Sequence, residues 1–366
     1  MRICFLIDNL YPYAGWGRLA SKIANNIKTK GYAIGFITRE GNFSDPTLVV
    51  QLRNFSVIKF YNFLRTLFRI RTFVKNYDVI VCYDVMPYGV ILNIATIGLR
   101  KKIVINALGT YSLFTNKSFF KDILISWVYN RASGVFVVSE FLKKQIEKYG
   151  FVLEKYTIVP VGVETKIFYH LEEAPKNVKP PYIISVGAVK HRKGYHNSIK
   201  AFSLITKEFP NLKYVIVGDQ SIDLYCQNIR NLVKELKLEE KVIFLSKVSD
   251  FELVKLYSSS ELFILTPITA PNAVEGFGMV YLEAGACGKP VIGTCGTGAE
   301  AAIIENKNGL LVSNNPADIA LALKKILSDK NFAYLLGING MERAKEFDWA
   351  VVADIYIKNL KELLFQ

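Results

Sequence analysis

The sequence predicts two doubly wound α/β domains, each a parallel sheet covered by helices on both faces. Three observations carry that expectation. Short, nearly continuous apolar runs alternate with helical patterns along the whole chain, as strands buried on both sides between helices require. The alternation breaks once, at 171–181 (LEEAPKNVKPP), where three prolines and mixed charge read as a linker. The 366 residues exceed one ordinary core, and a content of 51% hydrophobic and 21% charged residues describes a globular chain.

Taken in order, residues 2–8 form a buried strand that ends in a loop over 9–17, and a helix pattern over 16–30 stops at Gly31. Further strands are expected at 32–38, 78–83, 102–108, 134–139 and 157–163, with helical segments between most of them. Ser139 is placed to cap the helix that follows it. After the linker the alternation resumes, with strands at 182–186, 213–218, 241–245, 261–266, 290–293 and 309–312 and helices from 316 to the end. The expected division is 1–170 as a first Rossmann-like domain, 171–181 as linker, 182–346 as a second such domain, and 347–366 as a closing segment.

Composition narrows the chemistry. Five cysteines (Cys4, Cys82, Cys226, Cys287, Cys295) are scattered without a C-x-x-C pair, which suits buried free thiols better than a metal or redox site. The three histidines, His170, His191 and His196, leave little material for a His-built metal site or a Ser-His-Asp triad. No run is long and apolar enough for a membrane span, and the start lacks the pattern of a cleaved signal. The net charge of +14 is uneven: residues 1–173 hold 23 Lys+Arg against 12 Asp+Glu. A basic first half suits an anionic partner, such as membrane lipid or a phosphorylated acceptor. No recognition motif supports nucleic acid.

The most informative stretch is 275–292, EGFGMVYLEAGACGKPVI. It opens with Glu275 in a Gly-rich turn, where Gly276 and Gly278 allow close approach of a ligand to the backbone. The N–H groups from Phe277 through Gly278 and Met279 to Val280 then form an anion site at a helix start. Glu283 follows, roughly 7 Å further along the helix axis. A carboxylate, a phosphate cradle and a second carboxylate suit a sugar joined to a nucleoside through a diphosphate. Upstream, GAVKHRKG (187–194) ends a strand in a basic loop before a helix; Arg192 and Lys193 are adjacent cations able to pair with two phosphates, one by a planar fork and one as a point charge. In the first half, YPYAGWGR (11–18) puts Gly15 and Gly17 between the first strand and its helix, a weaker phosphate- or sugar-approaching loop.

Two glutamates eight apart around FGMVYLEA resemble retaining glycosyltransferases of family 4, which have the GT-B fold; the likeness covers most of the chain and is strongest over 182–312. It implies that Glu275 holds hydroxyls of the transferred sugar, that the amides after it hold the diphosphate, and that Glu283 holds the ribose. It also implies a last helix returning to the first domain, with Phe347-Asp348-Trp349 as the turn, a cleft between the domains lined by Gly162, and Gly187 among the donor-binding residues. Two departures stand out. Ala188 occupies the place of the family's Gly-Arg arginine, so Arg192, in preference to Lys190, is expected to supply that charge. Leu108, in NALGTY (106–111), stands where a donor-contacting histidine is usual, leaving Asn106, Thr110 or Tyr111 to replace its bonds.

The resemblance thus implies an enzyme that moves a hexose from a UDP- or GDP-sugar to a glycan or lipid-linked acceptor, with retention of configuration. No Asp-x-Asp occurs in a strand-end loop, so the expectation is metal-independent transfer, with no cofactor beyond the donor, in which helix N-termini and Arg192/Lys193 stabilise the leaving diphosphate. The competing readings are a nucleotide-sugar epimerase and a non-catalytic sugar-nucleotide or membrane-binding protein, the latter motivated by Leu108. The segment 54–76 is basic and aromatic together, with Lys59, Arg65, Arg69 and Lys75 expected opposite Phe60, Leu64, Leu67, Phe68 and Phe73. It suits a helix on anionic membrane or against a lipid-linked acceptor. The expected location is cytoplasmic, or peripheral on the inner face of the membrane.

Overall fold

The computed structural model describes residues 1–10, 15–40, 49–51, 60–113, 119–176, 178–220, 224–270 and 274–365. It divides into two compact units, Met1–Gly162 with Trp349–Gln366, and Val163–Asp348. Each is a parallel sheet with helices on its faces, so both are doubly wound.

The first unit contains β1 (Arg2–Asn9), α1 (Gly15–Thr29), β2 (Ala33–Glu40), β3 (Val49–Gln51), α2 (Phe60–Val74), β4 (Val79–Tyr83), α3 (Val90–Ala95), β5 (Lys102–Ala107), α4 (Phe119–Arg131), β6 (Gly134–Val137), α5 (Glu140–Lys148) and β7 (Tyr156–Ile158). The sheet order is β3-β2-β1-β4-β5-β6-β7. Strand β4, VIVCY, is buried at every position, as a central strand between two helical layers must be. Edge strand β3 pairs Val49–Gln51 with Phe36, Ile37 and Thr38; the sequence reading passed over it because three residues carry no periodicity.

The second unit contains β8 (Tyr182–Val186), α6 (Tyr195–Ile205), β9 (Lys213–Val217), α7 (Leu224–Glu235), β10 (Val242–Leu245), α8 (Asp250–Ser259), β11 (Phe263–Ile264), α9 (Met279–Ala286), β12 (Val291–Thr294), α10 (Ala299–Ala302), β13 (Gly309–Val312), α11 (Pro316–Ser328) and α12 (Lys330–Glu346). Its order is β10-β9-β8-β11-β12-β13. The final helix, α13 (Trp349–Phe365), belongs to the first unit and packs beside α1.

The chain leaves the first unit earlier than the proline-rich segment suggests. Residues 163–181, expected to finish the first domain and form a linker, pack on α8 in the second unit. Phe168 is buried with its ring 6.2 Å from Tyr257. The Leu171 N–H donates to Ser258 Oγ at 3.0 Å, and the Lys176 N–H to Glu252 Oε1 at 2.8 Å. The prolines therefore mark an extended strap packed on the second unit, not a free linker. The return crossing follows Asp348, which pairs with Val163. At Gly162 the Trp349 indole lies 2.5 Å from where a Cβ would be, so this close approach needs glycine.

Ser139 caps α5 as expected, its Oγ accepting the Leu142 N–H at 3.1 Å. That cap ends β6 two residues before the expected boundary at 139. All five cysteines are free. Among the described residues no helix is long and apolar enough to cross a membrane.

Candidate active site

In the second unit, strand order reverses between β8 and β11, and an open parallel sheet binds ligands outside the strand ends at such a reversal. Beyond β8 the chain passes Gly187 into the basic loop, where 191–193 form one tight turn closed by Gly194. Gly194 lies at φ +69°, and a Cβ there would meet the Thr266 carbonyl oxygen at 1.7 Å. Only glycine brings this loop so close to the end of β11. The Arg192 carbonyl accepts the Ile268 N–H at 2.9 Å, which ties the basic loop to the chain leaving β11.

This geometry brings the predicted charges together. Lys193 Nζ lies 2.8 Å from Glu275 Oε2, and Arg192 Nη1 donates to the same oxygen. Lys193 is buried and Arg192 is one-third exposed, so one cation is fixed and the other open to solvent. Burial pushes the Glu275 carboxyl up, but the Lys193 and Arg192 charges outweigh it and hold it below the usual glutamate range. Burial lowers the Lys193 ammonium, with Glu275 partly offsetting it. Lys190, the other candidate for the charge absent at Ala188, is exposed. A Cβ on Gly187 would lie 3.4 Å from Lys193 Cε, and the Gly187 carbonyl accepts the Tyr195 hydroxyl at 2.6 Å.

Glu275 leads into α9 through Gly278, at φ +85°, with no side-chain cap on the helix. The N–H groups of Met279 and Val280 thus open α9 as the sequence placed them. Phe277 contributes backbone only: its ring is buried against Phe347, centroids 5.6 Å apart. Glu283 lies about one and a half turns into α9, deeper than Glu275, as the sequence placed it. It is buried, and the Tyr257 hydroxyl donates to its Oε2 at 3.2 Å. The Glu275 carbonyl accepts the Gly298 N–H at 2.9 Å, so the Gly-rich loop at the end of β12, 293–300 (GTCGTGAE), buttresses this turn. Within that loop Glu300 accepts the Gly296 N–H at 2.7 Å.

The remaining predicted residues lie elsewhere. Gly15 and Gly17 open α1 in the first unit, while 11–14 fall outside the described residues, as do 271–273 beside Glu275. Leu108 is buried in an apolar cavity with Leu19, Val138 and Trp349, and its N–H donates to Ser112 Oγ at 3.1 Å. Sequence reasoning did not find Tyr195 or Tyr257. The two tyrosines sit in apolar helix patterns, where a hydroxyl's partner cannot be read from spacing.

The family model for glycosyl transferases group 1 matches residues 169–343, and that for glycosyltransferase family 4 matches 13–167. The chain belongs to glycosyltransferase family 4. Among family relatives, the D-inositol 3-phosphate glycosyltransferase of Paenarthrobacter aurescens is 27% identical over 226 residues, covering 59% of this chain and 54% of that protein. The GDP-mannose-dependent α-(1-6)-phosphatidylinositol monomannoside mannosyltransferase of Mycolicibacterium smegmatis is 28% identical over 192 residues, half of each chain. This chain spans about half the length of the curated relatives it matches. In fold it resembles sucrose-phosphate synthase from Thermosynechococcus elongatus, with a TM-score of 0.82 at 21% identity over 100% of this chain and 99% of that one. Anabaena HepE, solved with UDP and glucose, gives 0.79 at 20% identity over 99% of each. The fold is GT-B.

Proposed function

We propose that the protein is a transferase that moves a hexose from a UDP- or GDP-sugar to a glycan or lipid-linked acceptor, with retention of configuration and without a metal ion. The observation that carries this reading is the cluster of Glu275, Arg192 and Lys193 at the strand reversal, next to the uncapped start of α9. Two cations and a helix N-terminus suit a diphosphate whose charge grows as the sugar leaves. Glu275 would then bind sugar hydroxyls and Glu283 the ribose. The acceptor would attack the same face, guided by the leaving phosphate. This route does without the carboxylate pair of retaining hydrolases. Names among the relatives, such as GDP-mannose-dependent mannosyltransferase, agree with a nucleotide-sugar donor.

We further assign α2 to an anionic membrane surface, which places the protein on the cytoplasmic face of the membrane or close to it. Leu64 and Phe68 are exposed alongside Arg65 and Arg69. That corrects the expected two-sided helix: apolar and basic groups share the outer face, while Thr66, Ile70 and Val74 are buried inward. The side chain of Phe60 lies outside the described residues, as does Lys59.

The test is turnover of a panel of UDP- and GDP-hexoses in excess EDTA, read as nucleoside diphosphate released in the presence of glycan or lipid-linked acceptors. One donor should be consumed. Activity lost to chelation and restored by Mg²⁺ or Mn²⁺ would remove the role given to the two cations.

A further inference from the structure

The side chain of Ala188, which stands in the place of an arginine, has nothing to offer a phosphate, but its backbone does. The Ala188 N–H donates to no group among the described residues. Its neighbours are engaged: the Ala188 carbonyl accepts the Lys190 N–H at 2.8 Å, and the Val189 N–H donates to the Asp219 carbonyl at 2.9 Å. The residue is half-buried, at the edge of the site.

The peptide that carries this N–H is held firmly. The Tyr195 hydroxyl donates to the Gly187 carbonyl at 2.6 Å. The same peptide rests on the end of β9, where a Cβ on Gly218 would stand 2.1 Å from the Gly187 oxygen and 3.1 Å from the Ala188 nitrogen. Only glycine at 218 admits that approach. The C=O and N–H of a trans peptide point in opposite directions, so a carbonyl fixed on Tyr195 turns the Ala188 N–H away from it. The Cβ position of Gly187 lies 3.7 Å from Lys193 Nζ, the ammonium that pairs with Glu275.

Tyr195 is itself anchored. Its own carbonyl accepts the Ser198 hydroxyl at 3.1 Å, and Ser198 Oγ accepts the Tyr214 hydroxyl at 2.8 Å. Ser185 Oγ lies 2.7 Å from that Tyr214 hydroxyl. All four side chains are buried, so a chain of hydroxyls ties the first turn of α6 to β8 and β9. Burial holds the Tyr195 phenol well above its usual range, which keeps it a donor.

We propose that Tyr195 is a positioning residue for the donor: by fixing the Gly187–Ala188 peptide it presents the Ala188 N–H to the diphosphate, in place of the arginine side chain absent at 188. This rests on reading Arg192, Lys193 and Glu275 as a diphosphate site. Arg192 and Lys193 supply charge there, and the N–H supplies a direction set before the ligand arrives. A donor fixed in that way suits oxygens whose charge grows as the sugar leaves.

Amide NMR of the full chain labelled at alanine tests this, with UDP, GDP and inorganic pyrophosphate as probes and uridine and guanosine as controls. The Ala188 resonance, identified by its loss in Ala188→Gly, should shift on addition of one nucleoside diphosphate and of pyrophosphate. Tyr195→Phe, which removes only the hydroxyl, should weaken both about fivefold, an ordinary loss for one hydrogen bond, and leave nucleoside binding unchanged. A merely structural role for Tyr195 would weaken nucleoside and diphosphate alike. The proposal fails if a bound diphosphate leaves the Ala188 amide unmoved, if Tyr195→Phe binds diphosphates as wild type does, or if nucleoside binding falls equally. Pyrophosphate binding that shifts Ala188, with no binding of UDP or GDP, would remove the nucleotide-sugar reading and leave this positioning role standing. Absence of binding by all three probes would overturn both.

Discussion

At the scale of single residues, Glu275 holds both cations that a diphosphate would need. Its carboxylate pairs with Arg192 and Lys193, so a donor diphosphate bound as proposed would exchange one anion for another at these cations. The two glutamates should then separate kinetically. Interactions that strengthen in the transition state appear in turnover, and uniform ones in KM. Glu275→Gln should lower kcat strongly in steady-state assays. Glu283→Gln should mainly raise the donor KM, by about tenfold per 1.4 kcal/mol of lost binding. It should stay folded, because a glutamine oxygen still accepts the Tyr257 hydroxyl. Gly194→Ala should lower stability by about 1–3 kcal/mol in thermal melts, since its Cβ meets the Thr266 carbonyl.

Asp84, just past the end of β4, adds a pH dependence of known sign. Burial and the neighbouring Asp8 push its folded pKa up to about 7, above the ordinary value of 3.8, so the folded state holds a proton that the unfolded chain releases. Stability falls as pH rises between those two values and levels off above the higher one. Asp84→Asn should therefore gain stability relative to wild type at pH 8 and show little of that gain at pH 4, as read from denaturant midpoints. An equal difference at both pH values would mean that the carboxyl is not shielded from solvent.

At the scale of elements, α2 and α4 both present apolar side chains to solvent. Tyr61 and Phe68 on α2 are 74% and 70% exposed, and Phe119 and Phe120 on α4 are 74% and 78% exposed. Arg71 anchors α2 from its other side, donating to the Ala95 and Ile97 carbonyls at 3.0 and 2.7 Å. Charge reversal at Arg65 and Arg69 should thus abolish sedimentation with anionic liposomes without changing the melting temperature. Unchanged sedimentation would leave α2 as a plain sheet-covering helix. The amphipathic composition of this segment was legible in sequence, but the facing of its residues was not. Phe68 and Leu64 read as a side opposite the basic residues, whereas they share the outer face with Arg65 and Arg69, and Thr66, Ile70 and Val74 are buried inward.

At the scale of the molecule, the alternation of apolar strands with helices was sufficient to expect two doubly wound units, because parallel strands buried on both faces leave that trace in any sequence. What the trace could not carry was the place where the chain crosses. The proline-rich stretch read as a linker, yet Phe168 and Leu171 before and within it pack on α8, and side-chain burial of that kind has no periodic signature. The donor-side charges were similarly readable as types in loops. Their convergence on one Glu275 oxygen depends on Gly194 and on the backbone bond from Ile268, which no spacing rule reveals.

The central claim is that Arg192, Lys193 and the start of α9 bind the diphosphate of a nucleotide sugar in exchange for Glu275. Calorimetric titration of UDP and GDP into wild type, Lys193→Ala and Glu275→Gln tests it most directly. One nucleotide should bind the wild type, at least tenfold more weakly to Lys193→Ala, and more tightly to Glu275→Gln, where the cations are no longer neutralised. Equal affinities across the three proteins, or no binding to any of them, would contradict the account.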